Sequence, residues 1–360
     1  MERSDILIVG GGIAGASLAA ALGAHARVIL IEGEAQPGYH ATGRSAAFWH
    51  EGYGGPLVAP LTRASRPLLE AGGYLTPRGA IHVARAHEQI ALVAGVAAEP
   101  LDRLTLVARL PGLRTEWTHG AWEAGLADID VARLHGDYLG AARRNGATIL
   151  TDARLVDAGR LRGKWTIRLE DGRTLEAGIL VNATGAWGDV VARASGVAPL
   201  GLEAKRRTMV QLRVARGGLK RLPLVIGADE SFYFKGESEH SLWLSPHDEI
   251  ACDPCDAAPE EIDVATAIER FGEVVDWPIE RVERRWAGLR TFTPDRVPAI
   301  GFAADEPGFF WCVGQGGFGI QTAPAAAALG AALILGTGAL PAGVEAATYD
   351  PRRFAVQAGV

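Results

Sequence analysis

The residues Gly10-Gly11-Gly12-Ile13-Ala14-Gly15 have the types and spacing of a loop that receives a phosphate-bearing nucleotide. They follow the run Asp5–Val9 and open a small, apolar segment, Ile13–Gly23. A second, β-branched run, Ala26–Ile31, then ends at Glu32. In that strand–turn–helix–strand setting Gly10 permits the tight turn, Gly12 lets the backbone approach a pyrophosphate, and Gly15 lets helix and strand pack closely. Ile13 and Ala14 begin the helix, whose unpaired N–H groups and partial positive charge face the phosphates. Glu32 is placed to accept hydrogen bonds from ribose hydroxyls, and its charge disfavours a 2′-phosphate. The pattern serves NAD and FAD alike.

Three further segments bear on that choice. His40-Ala41-Thr42-Gly43-Arg44-Ser45-Ala46-Ala47 supplies an arginine, hydroxyls and small residues, as a second loop over the pyrophosphate of a large cofactor would. Asn182-Ala183-Thr184-Gly185-Ala186-Trp187 is another small-residue strand end, and Gly314–Gly319 is a second glycine-rich turn between an apolar run and a helical one.

These loops require strands and helices to hold them. The chain has 360 residues, 48% hydrophobic and 22% charged, an ordinary globular composition. The pattern predicts helices at Ala64–Glu70, Asp130–Arg144 (capped by Asp128), Pro259–Phe271 and Ile320–Leu335. It predicts a meander from Thr148–Ile149, Trp165–Leu169 and Thr174–Ala177, turning at Glu170-Asp171-Gly172, with Gly178–Ala183 as a separate buried strand. Thr208–Val214, Ser231–Lys235, Ser241–Leu244 and Gly308–Val313 read as strands. Glycine turns at both ends imply one nucleotide-binding domain of non-contiguous pieces, residues 1–47, 125–200 and 286–350. A substrate domain then occupies 48–124 and 201–285.

The net charge of −6 argues against a nucleic-acid partner. Three cysteines cannot build a disulfide framework, which points to a reducing, cytoplasmic setting. The start of the chain lacks the basic, then apolar, then small-residue order of a targeting segment. Thr322–Leu340 carries no charge and approaches membrane-spanning length, but its Ala, Gly and Pro324 read better as a helix buried between layers. Cys252-Asp253-Pro254-Cys255 has no second cysteine pair to make a metal site, and none is expected; Cys312 reads as core.

Ile8–Gly15, Glu32, Thr42–Ala47, Val181–Trp187, Gly288–Pro294 with Asp295, and Gly314–Thr322 together resemble the D-amino-acid-oxidase-like superfamily of FAD-dependent amine oxidoreductases, over nearly the whole chain. Glycine oxidases, sarcosine oxidases and D-amino-acid dehydrogenases belong to it. Gly38-Tyr39-His40, Lys205-Arg206-Arg207, Asp229–Tyr233, Trp286–Arg290 and Gln315-Gly316-Gly317 are most similar to bacterial D-arginine dehydrogenases. The resemblance implies an α/β fold: a Rossmann-like, glutathione-reductase-type FAD domain with an inserted α+β domain on a mostly antiparallel sheet. It implies FAD contacts from the residues above and from Leu155. Gly316, Gly317, Gly319, Ile320, Gln321 and Thr322 would lie over the flavin pyrimidine, where N–H groups and the helix dipole stabilise negative charge. FAD is expected to be non-covalent, because the cysteine that sarcosine-oxidase-like members use aligns with Gly288.

The implied reaction moves a hydride from the carbon beside an amine to flavin N5, and the imine then hydrolyses. The acceptor of the electrons is oxygen, a quinone or a carrier protein. The resemblance places Arg290 on the substrate carboxylate, where a bidentate guanidinium suits it, and Arg207 as a second substrate-side arginine, with Arg206 facing the other way on the strand. Tyr53 and Tyr233 match hydroxyls that reach substrate, and Gly317 matches a carbonyl that meets the amine. Two departures bear on the side chain: Ala80 stands where D-arginine dehydrogenases have the glutamate that grips guanidinium, and Phe48 where they have a histidine. With Trp49, that implies a more apolar pocket, which His82, His50 or Glu51 would make more polar. Alternatives are oxidation of a 2-hydroxy acid, a non-catalytic flavoprotein that binds partners, and a NAD-only protein. Arg290, Tyr53 and Tyr233 together argue against the flavoprotein without catalysis, and Thr42–Ser45 with Gly314–Thr322 against the NAD-only protein.

Overall fold

A computed structural model describes residues 2–86 and 98–359. Two large sheets stand on either side of a long cleft. The first has eight strands. Its parallel centre comprises Thr148–Leu150, Val28–Ile31, Glu2–Val9, Thr174–Asn182 and Phe309–Val313. Val28–Ile31 and Phe309–Val313 are fully buried runs, as strands covered on both faces must be. Leu155–Leu161 and Lys164–Leu169 extend the sheet antiparallel beyond Thr174–Asn182. The meander therefore starts at Leu155: Thr148–Leu150 pairs at the opposite edge, and Thr174–Asn182 is one strand rather than two.

Helix Ile13–Leu22 packs on this sheet beside Val131–Arg144 and Gly319–Leu335. Asp130, not Asp128, caps Val131–Arg144, its carboxylate accepting from Arg133 N. The helix expected at Ala64–Glu70 runs from Ala59 to Ala71. Gly319–Leu335 is apolar all round because its buried residues sit against Ile13–Leu22, Ala59–Ala71 and the sheet. Gly336 ends it at φ +63. Among the described residues, no helix is long and apolar enough to cross a membrane.

The second sheet has ten strands, mostly antiparallel. At its heart Glu203–Val214 pairs with Ile279–Phe292, which runs unbroken through residue 286. Alternation gives Glu203–Val214 two faces. Val210, Leu212 and Val214 point into a core with Phe271 of helix Glu261–Val274. Arg206, on that same face, pairs with Asp263 at 2.9 Å. Lys205, Arg207 and Met209 face the other way. The register matches Lys205 with Arg290 and Arg207 with Gly288, which puts Arg290 on the face of Arg207, one diagonal step away. A third, small sheet joins Phe48–Trp49, Ala127–Ile129 and Leu75–Pro77.

Candidate active site

The cleft opens past the C-terminal ends of the parallel strands, where Gly10, Glu32 and Ala183 follow Val9, Ile31 and Asn182. That is the position at which open α/β sheets receive ligands. The first glycine turn is shaped by what surrounds it. Gly10 has φ +102, and a Cβ there would lie 2.6 Å from the Ala183 carbonyl. A Cβ on Gly15 would collide with the Gly10 carbonyl, so Gly15 packs helix against strand and does not line the cleft. Glu32 is held by two backbone donors, Gly11 N at 2.8 Å and Glu34 N at 3.0 Å, and a carboxylate has acceptor capacity left for hydroxyls. Thr42 Oγ1 accepts from Ile13 N at 3.0 Å, fastening the second loop to the helix N-terminus.

Gly12, Ile13, Ala14, Thr42, Ser45, Ala46, Leu155, Gly185 and Trp187 also line the cleft, as do Gly316, Gly317, Gly319 and Ile320 at its far end. Four expected contacts differ. Arg44 lines the cleft, but its donors serve protein: Tyr39 O, Ala257 O, Ala287 O and the Asp256 carboxylate. It clasps the second loop to the larger sheet. Gly43 is outside the lining, and a Cβ there would lie 2.8 Å from the Gly38 carbonyl. Thr322 donates to Phe318 O of its own helix. Gln321 faces the segment after Trp49: its amide oxygen accepts from His50 N, and its amide nitrogen donates to His50 O and Thr62 Oγ1. That segment carries Tyr53.

At the far end the cleft meets a small lobe of about 20 Å3, room for about one water or methyl group. Ala47, Phe48, Tyr53, Tyr233, Arg290 and Gly317 are among its walls. An Arg290 Nη1–H donates to the Tyr53 hydroxyl. A Cβ on Gly317 would collide with that hydroxyl and lie 2.8 Å from Nη1. The absence of a side chain at 317 therefore lets the arginine, the phenol and the glycine turn converge. Phe48 packs edge-on to Tyr233, centroids 5.7 Å apart, and the Tyr233 hydroxyl bonds the Met209 sulfur at 3.0 Å.

Arg207 enters the main cleft beside Met209 and Tyr233. Its Nε donates to Asp248 O at 2.6 Å, and its buried Nη1 has no partner among the described residues. Burial, then the neighbouring Arg290, pull its pKa down to about 10. His247, stacked edge-on to Tyr233, is pulled to about 2 by burial and then by Arg207 and Arg290, so it stays neutral at ordinary pH. Sequence reasoning missed His247.

The apolar-pocket residues are placed differently from expectation. Trp49 is buried away from the lobe, its indole N–H on Thr62 O and Arg66 over its ring. Ala80 is fully buried behind Tyr233 and Leu126 and lines neither cavity. His82 lies deeper, its Nε2 3.0 Å from Glu123 Oε2, an oxygen that His50 Nε2 approaches at 3.2 Å. Burial, the largest influence on it, lowers the His50 pKa. Glu51 pairs with Arg63 on an exposed surface. Two more residues were not anticipated. His135 Nε2 contacts Gly11 O at 2.8 Å behind the glycine turn, and Lys235 Nζ reaches Ala46 O at 3.0 Å and Asp128 at 2.9 Å.

The cradle of Gly10, Gly12, Glu32, Thr42 and the turn at Gly316–Ile320 fits a long dinucleotide with its reactive end at the lobe. The chain belongs to the DAO family of FAD-dependent oxidoreductases, whose family model matches residues 5–333. Its cofactor is FAD. Hydrogen cyanide synthase subunit HcnC of Pseudomonas aeruginosa is 26% identical over 232 residues, covering 62% of this chain and 52% of that protein. The chain spans about half the length of the curated relatives it matches. Glycine oxidase of Geobacillus kaustophilus superposes with a TM-score of 0.83 at 20% identity, covering 98% of this chain and 99% of that one. L-proline dehydrogenase of P. horikoshii gives 0.84 at 21% identity, covering 99% and 98%. At such identities the structural likeness is one of fold.

Proposed function

We propose that this protein oxidises the carbon beside the amine of an amino acid or related amine, D-amino acids among them. The observation that carries this reading is the convergence of Arg290, Tyr53 and Gly317 in one small lobe at the end of the cofactor cleft. Bound FAD supplies the two-electron acceptor. Arg290 offers its unspent N–H donors to the substrate carboxylate, and Tyr53, already tied to Nη1, fixes the angle of the guanidinium. The Gly317 carbonyl orients the amine. Phe48, Tyr53 and Tyr233 wall out water, so the reacting carbon is held in one position. The N-terminus of Gly319–Leu335 stabilises the negative charge that arrives beside it. Among the described residues no carboxylate lines the small lobe, so a cationic side chain finds no partner there. The similarity to D-arginine dehydrogenases therefore does not extend to their substrate. Glycine oxidase and proline dehydrogenase share the fold and, by name, act on small amino acids.

The test is anaerobic bleaching of the flavin band by D- and L-amino acids, N-methyl amino acids, cyclic imino acids and 2-hydroxy acids. Bleaching by an amine-bearing class supports the reading. Bleaching by hydroxy acids alone replaces it with hydroxy-acid oxidation, and re-oxidation in air separates oxygen from a quinone or carrier protein as the acceptor.

A further inference from the structure

The larger sheet brings two arginines to one cleft from the same face of two adjacent strands. Arg290 lines the main cleft and also reaches the small lobe, where it meets a phenol rather than a carboxylate. Arg207 lines only the main cleft, with Met209 and Tyr233. Their strands hold them on one face at diagonal positions, with Cα atoms about 7–8 Å apart. Arg207 is 4% exposed, and its buried Nη1 has no partner among the described residues. An unpaired buried donor on a charged group is costly, which marks a place where a ligand acceptor is missing.

The local charge points the same way. Arg207, Arg270 and Arg290 surround the neutral ring of His247. Arg270 donates to the carbonyls of Ser231 and Pro246. Asp248 lies 3.8 Å from Arg207 Nε and Glu249 3.5 Å from its Nη2, but Glu249 is held more closely by Arg296 at 2.9 and 3.1 Å. Three guanidiniums thus face two carboxylates, and one of these, Glu249, is shared with a fourth guanidinium, Arg296, so positive charge is in excess. The small lobe has room for about one methyl-sized group, so the rest of a substrate gripped by Arg290 must extend along the main cleft, toward Arg207.

Building on the amine-oxidation reading, we infer that the preferred substrate carries two carboxylates, one held by Arg290 with Tyr53 and the other by Arg207. Acidic amino acids and N-carboxymethyl amino acids have this form. Arg207 is then a specificity-determining residue and not a second ligand of the first carboxylate.

The test uses the FAD-loaded protein and two readouts. Binding is followed by perturbation of the flavin spectrum with succinate, malonate and propionate, none of which needs to react. Turnover is followed by anaerobic bleaching with aspartate, glutamate, iminodiacetate, glycine, alanine and glycerol 3-phosphate. The dicarboxylates are expected to bind about 10- to 100-fold more tightly than propionate, the range of one charge-assisted hydrogen-bonded pair. Arg207→Gln should erase that advantage while weakening propionate far less, and Arg207→Lys should restore part of it. Equal loss for propionate and succinate in Arg207→Gln overturns the inference, because both arginines would then share one carboxylate. A preference for glycerol 3-phosphate over every dicarboxylate also overturns it. If the dicarboxylates bind with the expected advantage but no amine bleaches the flavin, the two-anion site stands and the amine-oxidation reading falls.

Discussion

The cleft wall on the smaller sheet is made of backbone. Gly10, Gly12 and Gly185 offer no side chain, and Glu32 and Thr42 are fixed by backbone N–H groups of Gly11, Glu34 and Ile13. The wall on the larger sheet is made of side chains. Arg207, Met209, Tyr233 and Arg290 come from three strands and are aligned by register and by contacts such as Arg290 with Tyr53. The first wall recognises a shape common to all dinucleotides, whereas the second carries the distinctions between substrates. A change in the first wall should therefore remove the cofactor, and a change in the second should leave the cofactor bound and alter chemistry or choice.

Gly12→Val is the sharpest break of the first wall. Its φ of −70 tolerates a side chain, so the fold survives, but a Cβ already lies 3.3 Å from Thr42 Oγ1 and the branched methyls enter the cradle. The purified variant should be colourless and fail to take up FAD, with its circular dichroism intact. Arg290→Ala breaks the second wall. It should keep its flavin but lose roughly 100- to 1,000-fold in kcat/KM, about 3–4 kcal/mol of transition-state binding. A yellow, equally active Arg290→Ala protein would show that the carboxylate is held elsewhere.

Between these lies a joint that links the walls. Lys235 extends from the larger sheet to Ala46 O and Asp128, and Asp128 also receives Arg78. Lys235→Met should lower stability by about 1.5–3 kcal/mol, read as a lower denaturation midpoint, and weaken FAD retention because the 45–47 loop loses its anchor. If FAD affinity is unchanged while stability falls, the joint serves the fold alone.

How much of this was legible in the sequence follows the same division. The glycine turns, Glu32 and Thr42 announce themselves because one short segment contains each whole device. That Arg206 and Arg207 face opposite ways follows from strand alternation, and the family resemblance says which of them faces the cleft. Contacts between distant segments were not legible. Asp128 reads as a helix cap because it precedes Val131–Arg144, yet it sits in a strand and binds Lys235, 107 positions away. Arg44 reads as a phosphate ligand because it lies in the right loop, yet Ala257 and Ala287 claim its donors. Gln321 lies in the flavin-side turn but is aimed at His50. Spacing says which residues are near in the chain, and only packing says which acceptor reaches a long side chain first.

The smallest expected effect concerns pH and tests whether the second wall reads charge. Burial, and after it Arg290, hold Arg207 at about 10, below the 12.5 of a free guanidinium, and the groups facing it are Tyr53, Tyr233, Asp248, Glu249 and the neutral His247. A guanidinium with a depressed pKa is cationic below that value and loses its proton as pH rises through it. Succinate has no group that titrates in this range, so its affinity isolates the protein. In wild-type protein the succinate Kd should be flat up to pH 9 and weaken about tenfold by pH 11, one decade for each unit above 10. Arg207→Gln should show weaker binding throughout and none of this titration. A wild-type Kd that stays flat to pH 11, together with an Arg207→Gln protein that binds succinate as tightly as wild type, would mean that the ligand does not touch Arg207, and the larger sheet would then distinguish substrates through Arg290 and the small lobe alone.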